Sequence, residues 1–142
     1  MAEDKEQIEK KMKEGWIKTS MMIELLAADP DKTKEFLEKH VEKIEKEDKI
    51  ILYRKDFKEV IETTSPFPNV PKAYSGIVEI ELVAETLDKI VYIVMNYGPT
   101  NVEILEPTRI AIDMGEAQGI VNSVSTMMHK FAAAGVGGII TS

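Results

Sequence analysis

Cysteine is absent from the 142 residues, which excludes a disulfide framework, a thiolate zinc site, an iron–sulfur cluster and a cysteine nucleophile together. Histidine occurs only as His40 and His129, so no helical histidine pair exists, and no metal or cofactor is expected. No Gly-x-Ser-x-Gly elbow supports a serine nucleophile. Aromatic residues make up 6% of the chain, and Trp16, Tyr53, Tyr74 and Tyr97 do not form the strand motifs on which RNA binders stack bases. No apolar run approaches the roughly 20 residues of a membrane-spanning helix. The N-terminus, Met1-Ala2-Glu3-Asp4-Lys5-Glu6, is acidic where a signal peptide is basic and then apolar, so a cytoplasmic protein is expected. A net positive charge is also lacking. A net charge of -7 and a pI near 4.9 argue against nucleic-acid binding, which rests on cations neutralising phosphates.

What is present is a charged, soluble-type composition with 30% charged and 44% hydrophobic residues, at a length that suits one domain. Lys43, Lys46, Lys49, Arg54, Lys55 and Lys58 alternate with Glu42, Glu45, Glu47, Asp48, Asp56 and Glu59, which reads as a solvated ion-pair surface of the kind thermophiles favour.

The first 15 residues have Ile8 and Met12 as an i, i+4 pair in a polar stretch and read as a helical arm; residues 16–142 read as the domain. From Trp16 the apolar period becomes two through Ile17, Met21, Ile23 and Leu25, which predicts a strand over residues 16–27. Asp29-Pro30 then caps and opens a helix carrying Phe36, Leu37, Val41 and Ile44 and ending near Glu47. Residues 49–64 predict one strand broken near Arg54-Lys55-Asp56, with a helical turn as the alternative there, and the three prolines between Ser65 and Pro71 predict a loop. Val78, Ile80 and Leu82 alternate with Glu79 and Glu81 in a half-buried strand. Thr86 caps a helix over residues 87–97, which Gly98 stops in a left-handed turn and Pro99 cannot continue. Val102 and Ile104 mark a strand ending at Pro107, and residues 109–112 are expected to continue the sheet. Asp113 and Glu116 have capping-box spacing ahead of a last helix over residues 117–131, ended by Gly135. The order is an α+β, ferredoxin-like βαββαβ sandwich with an N-terminal helical arm and an extra C-terminal helix.

The pattern of residues 76–131 resembles the C-terminal extension of WYL-domain proteins. It is carried by the strand before Thr86, by Tyr97-Gly98-Pro99, by Val102-Glu103-Ile104-Leu105-Glu106-Pro107, and by the amphipathic last helix. In that family the module is ferredoxin-like and follows a winged-helix domain and a WYL domain in dimeric transcription regulators. Here neither preceding domain is recognisable, so the resemblance implies a stand-alone regulatory or assembly module from a small prokaryotic, archaeal family. It implies no DNA binding and no catalytic residues.

Residues 117–129 contain no charge, although nearly a third of the chain is charged. One side of that helix is apolar, and Gln118, Asn122, Ser125 and His129 form an uncharged polar stripe on the other. Interface cores are depleted in charge, so the stripe is the expected contact surface of a homodimer or higher homo-oligomer, with His129 able to donate or accept a hydrogen bond. Gly115 and Gly119 would permit close approach of another backbone. A non-enzymatic regulatory or assembly module that self-associates through its last helix or an exposed sheet edge is therefore expected, with a small-molecule sensor or carrier binding its ligand at the same four residues as the alternative. Glu79, Glu81, Glu103 and Glu106 could gather as carboxylates on one sheet face, but general acid–base work needs burial that the sequence does not indicate. His40 reads as a surface or core-edge histidine. Gly135-Val136-Gly137-Gly138 follows a helix end instead of opening a helix, which excludes a phosphate loop, and residues 136–142 could exchange as a strand between subunits.

Overall fold

The computed structural model describes residues 2–66 and 68–135. Its elements are α1 (Ala2–Lys13), β1 (Ile17–Ala27), α2 (Pro30–Glu45), β2 (Ile50–Phe57), β3 (Ile61–Thr64), β4 (Lys72–Ala84), α3 (Leu87–Tyr97), β5 (Asn101–Glu106) and α4 (Met114–Ala133). The fold is α+β, with five antiparallel strands where the sequence order predicts four. The strands run β2-β4-β1-β5 across the sheet, and β3 pairs with the far end of β4.

Alternation decides which face is buried. Ile17, Thr19, Met21 and Ile23 of β1 stand opposite Ala84, Leu82, Ile80 and Val78 of β4, so their side chains share one face, and α2 and α3 cover it. Leu37, Val41 and Ile44 from α2 and Ile90 and Ile93 from α3 complete that core. Gly76 is required beneath α2, because an added Cβ would stand 2.9 Å from Thr33 Cγ2 and 3.2 Å from Leu37 Cδ2. On the opposite face α1 lies over β2 and β4, where Ile8 and Val83 are buried. The rest of that face carries the polar half of the alternation.

The helix starts follow the sequence closely. Asp29 Oδ1 accepts from the amides of Asp31 and Lys32 at 2.8 and 3.2 Å, and Thr86 Oγ1 accepts from Lys89 at 3.1 Å. Gly98 takes the left-handed conformation, with φ 59° and ψ 49°. Two expectations change. The strand over residues 49–64 becomes β2 and β3, with an irregularity at Tyr53 and no helical turn; between Phe57 and Ile61 the chain spends one residue more than β4 does between Val78 and Ser75. Residues 107–113 form no strand, because Lys18 already pairs with Glu106 and β1 begins only one residue before it, while Pro107 brings no N–H to extend the ladder. The expected exchange of residues 136–142 falls outside the described residues.

Candidate functional site

Helix α4 begins where Asp113 Oδ1 accepts from the amide of Glu116 at 2.8 Å. The reciprocal half of a capping box is not made, and Glu116 Oε2 is buried without a hydrogen-bond partner. The helix packs against α3, presenting Ile120, Ser123 and Met127 as half-buried residues. Not one of its 20 residues is fully buried. A helix of this length normally draws its stability from an apolar face buried against the fold.

The apolar residues of α4 occupy too wide an arc for α3 to cover. Ile120 and Met127 turn toward α3, while Val121, Val124, Met128 and Phe131 lie outside the contact with 63%, 47%, 40% and 46% of their surface exposed. Met114 is also exposed, and half-buried Ala117 lies between it and Val121. Successive members of this stripe are three or four residues apart from Met114 to Phe131. The helical period puts Ala117, Ile120, Val121, Val124, Met127, Met128 and Phe131 together on one apolar side without dividing them. The signal that divides them is the presence of two adjacent stripes, each complete at helical spacing.

The four polar residues proposed from sequence are all exposed on one face and border the apolar flank. Gln118 Nε2 donates to Asn122 Oδ1 at 3.2 Å, and Ser125 and His129 have no hydrogen-bond partner among the described residues. Of the four, Asn122 alone lines the open groove of about 360 Å³ between α3 and α4. Asn96, Thr126, Asp88 and Lys130 line the same groove. Gly119 faces open space, so its close-approach role is unused within the single chain.

Three of the four carboxylates proposed on the sheet's other face are individually paired, and Glu103 is exposed at the edge strand β5. Glu81 accepts from the Tyr53 hydroxyl at 2.9 Å and from Arg54, Glu106 lies 3.6 Å from Lys18, and Glu79 lies 3.8 Å from Lys58. Burial pushes the Glu81 carboxyl up, yet the bonds from Arg54 and Tyr53 outweigh it and hold the group below its usual range. Burial and the bond to Glu81 together raise the Tyr53 phenol. This leaves a charged anion and a protonated phenol, without the raised carboxyl that a general acid needs. Lys55 and Lys58 are likewise paired with Glu45 and Asp56, as a solvated ion-pair surface requires.

A second polar cluster, with no signal in the sequence, joins the end of α2 to α3. Lys89, its side chain 11% exposed, donates through Nζ to Glu47 at 3.0 Å and Asp48 at 3.1 Å, and the Tyr97 hydroxyl donates to Glu47. The Tyr97 bond, then the Lys89 bond, lowers the Glu47 carboxyl; burial, then the bond to Glu47, pushes the Tyr97 phenol up to about 12. Nearby His40 Nε2 donates to the Tyr97 carbonyl at 2.8 Å and its ring meets that of Tyr97 edge-on, a helix-joining role that matches its core-edge reading. These contacts brace the fold.

Among the described residues no group of three or more histidine and carboxylate side chains could hold a metal ion, and no helix is long and apolar enough to cross a membrane. No curated protein sequence matches the chain. A family model matches residues 18–137, from β1 through α4, and it carries no link to the WYL-domain extension that residues 76–131 resemble. By that match the chain belongs to the MJ0538 family.

Proposed function

We propose that this protein is a non-enzymatic assembly or regulatory module of the cytoplasm that self-associates through α4. The observation that carries the reading is a 20-residue helix with no fully buried residue and an apolar flank left open along its length. Scattered exposed apolar residues are ordinary, but a contiguous line of them on one helix marks an interaction surface. The polar stripe Gln118, Asn122, Ser125 and His129 forms the rim of that surface, in keeping with the polar, solvent-accessible border that surrounds an apolar interface core. Counting β2 and β3 as one interrupted strand gives the order βαββαβ, and on that count we assign the core to the ferredoxin-like group. A fold of that kind hosts many unrelated functions, so the weight rests on α4.

The test is native mass spectrometry of the wild type beside Val124→Asp. Val124 is exposed in the single chain, so the variant should fold as the wild type does while a charge enters the middle of the seam. The wild type is expected at twice its 16.0 kDa chain mass or above, and the variant at the monomer mass. A wild-type monomer overturns the reading.

The α3–α4 groove supports a second reading, a sensor or carrier for a small polar molecule. Asn122 and Asn96 each leave part of their amide unused there, since Asn122 Oδ1 accepts from Gln118 and Asn96 Nδ2 donates to the Tyr92 carbonyl at 2.8 Å. A reproducible added mass on the native ion, lost in Asn122→Ala with the assembly intact, would favour this reading over the first.

A further inference from the structure

The spacing along α4 narrows the choice of partner. Met114, Ala117, Val121, Val124, Met128 and Phe131 recur at intervals of three, four, three, four and three residues. That is the period of 3.5 at which two helices keep one seam in contact along their whole length. A globular partner needs only a local patch, whereas a seam sustained over the helix is matched by another helix with the same period. Among the described residues, α4 itself is the helix that presents one. With its seam side chains between about two-fifths and four-fifths exposed, and Ala117 half-buried, α4 offers on the order of 500 Å² of apolar surface per copy. Two copies together therefore remove up to about 1,000 Å², the lower bound for a specific interface and the size of a weak, reversible one.

Side-chain size sets the direction. With two α4 helices antiparallel, Ala117 meets the long side chain of Met128, Val121 meets Val124 at the centre, and Met114 and Phe131 close each end. With the helices parallel, Ala117 meets Ala117 and leaves a gap, while Phe131 is forced against Phe131. Glu116 and Lys130 are the only charged residues in the helix. Both lie on the side of the helix turned away from the seam, Lys130 lining the α3–α4 groove, so the seam itself carries no charge in either arrangement. Gln118 and Ser125, bordering the seam on the same side, face each other across the two-fold as amide and hydroxyl.

Resting on the assembly reading above, we infer that two copies of this chain pair through antiparallel α4 helices about a two-fold axis passing between Val121 and Val124. The absence of cysteine makes this directly readable. Val121→Cys and Val124→Cys are co-expressed and oxidised, and the disulfide-linked products are identified by mass. The expected product contains one chain of each variant and exceeds by several-fold the self-linked product of either variant expressed alone. Ala117→Cys with Met128→Cys is a second pair expected to behave in the same way, which guards against one variant failing to fold. A predominance of same-residue links overturns the antiparallel direction while the dimer mass keeps the assembly reading. Monomer masses with no cross-link in either pair overturn both.

Discussion

Replacing Thr19 with valine should stabilise the protein, which is uncommon for a change in the middle of a core strand. Thr19 is fully buried on the helix-covered face of β1, opposite Leu82 on one side and Ile104 on the other, and its hydroxyl has no hydrogen-bond partner. Burying a hydroxyl unmet costs about 1–3 kcal/mol, and valine keeps the shape while removing that penalty. The expected gain is about 1–2 kcal/mol, which at this chain length raises Tm by roughly 2–4 °C for each kcal/mol. Thr33 supplies the control, because it is equally buried but its hydroxyl reaches the Asp29 carbonyl at 2.9 Å and the Tyr74 carbonyl at 3.2 Å. Thr33→Val should therefore lose about 1–2 kcal/mol through the bond removed and the carbonyls left behind. Urea unfolding of the wild type and both variants, with the slope checked for constancy, measures the two effects on one scale. Equal destabilisation of the two variants would refute the reasoning, since burial alone and not hydrogen bonding would then govern both sites.

Gly76 and Gly119 divide in the same manner. Gly76→Ala forces a methyl to within 2.9 Å of Thr33 Cγ2 and should destabilise by about 1–3 kcal/mol, read as a lower urea midpoint. Gly119→Ala meets nothing within 4 Å and should stabilise by up to about 1 kcal/mol through helix propensity, with the native mass unchanged because Gly119 lies away from the apolar seam. The lowered Glu47 carboxyl makes a pH prediction. Its folded value lies below its ordinary 4.5, so its contribution is complete above that pH and is lost as the pH falls through the folded value. Stability of the wild type should therefore drop more steeply on acidification below about pH 4.5 than that of Glu47→Gln, and parallel curves would remove the Tyr97–Glu47–Lys89 cluster as the cause.

The candidate surface was half legible. The uncharged run through residues 117–129 drew attention to the last helix, and the polar stripe Gln118, Asn122, Ser125 and His129 does share one exposed face. The open apolar flank beside it was not read, because periodicity shows which residues share a side of a helix and is silent about how wide a neighbour will cover them. Here α3 covers Ile120 and Met127 and stops short of Val121, Val124, Met128 and Phe131. The Lys89 cluster was wholly illegible, since Lys89 lies 42 residues from Glu47 and no local pattern announces the contact.

By itself the sequence determined the helices, their ends and the inward face of the central strands. Asp29, Thr86 and Asp113 satisfy amides within three residues of themselves, Gly98 adopts a conformation its neighbours impose, and alternation in β1 and β4 needs only the two-residue pleat. The tertiary structure alone decided where strands stop and which apolar residues stay outside. The register of β1 against Glu106 leaves residues 109–112 nothing to pair with, and one surplus residue opposite β4 splits β2 from β3. It was also the position of α3 that divided the apolar arc of α4 into a half-buried side and an open one. Local structure is set by interactions a few residues long, whereas exposure depends on what the rest of the chain brings alongside.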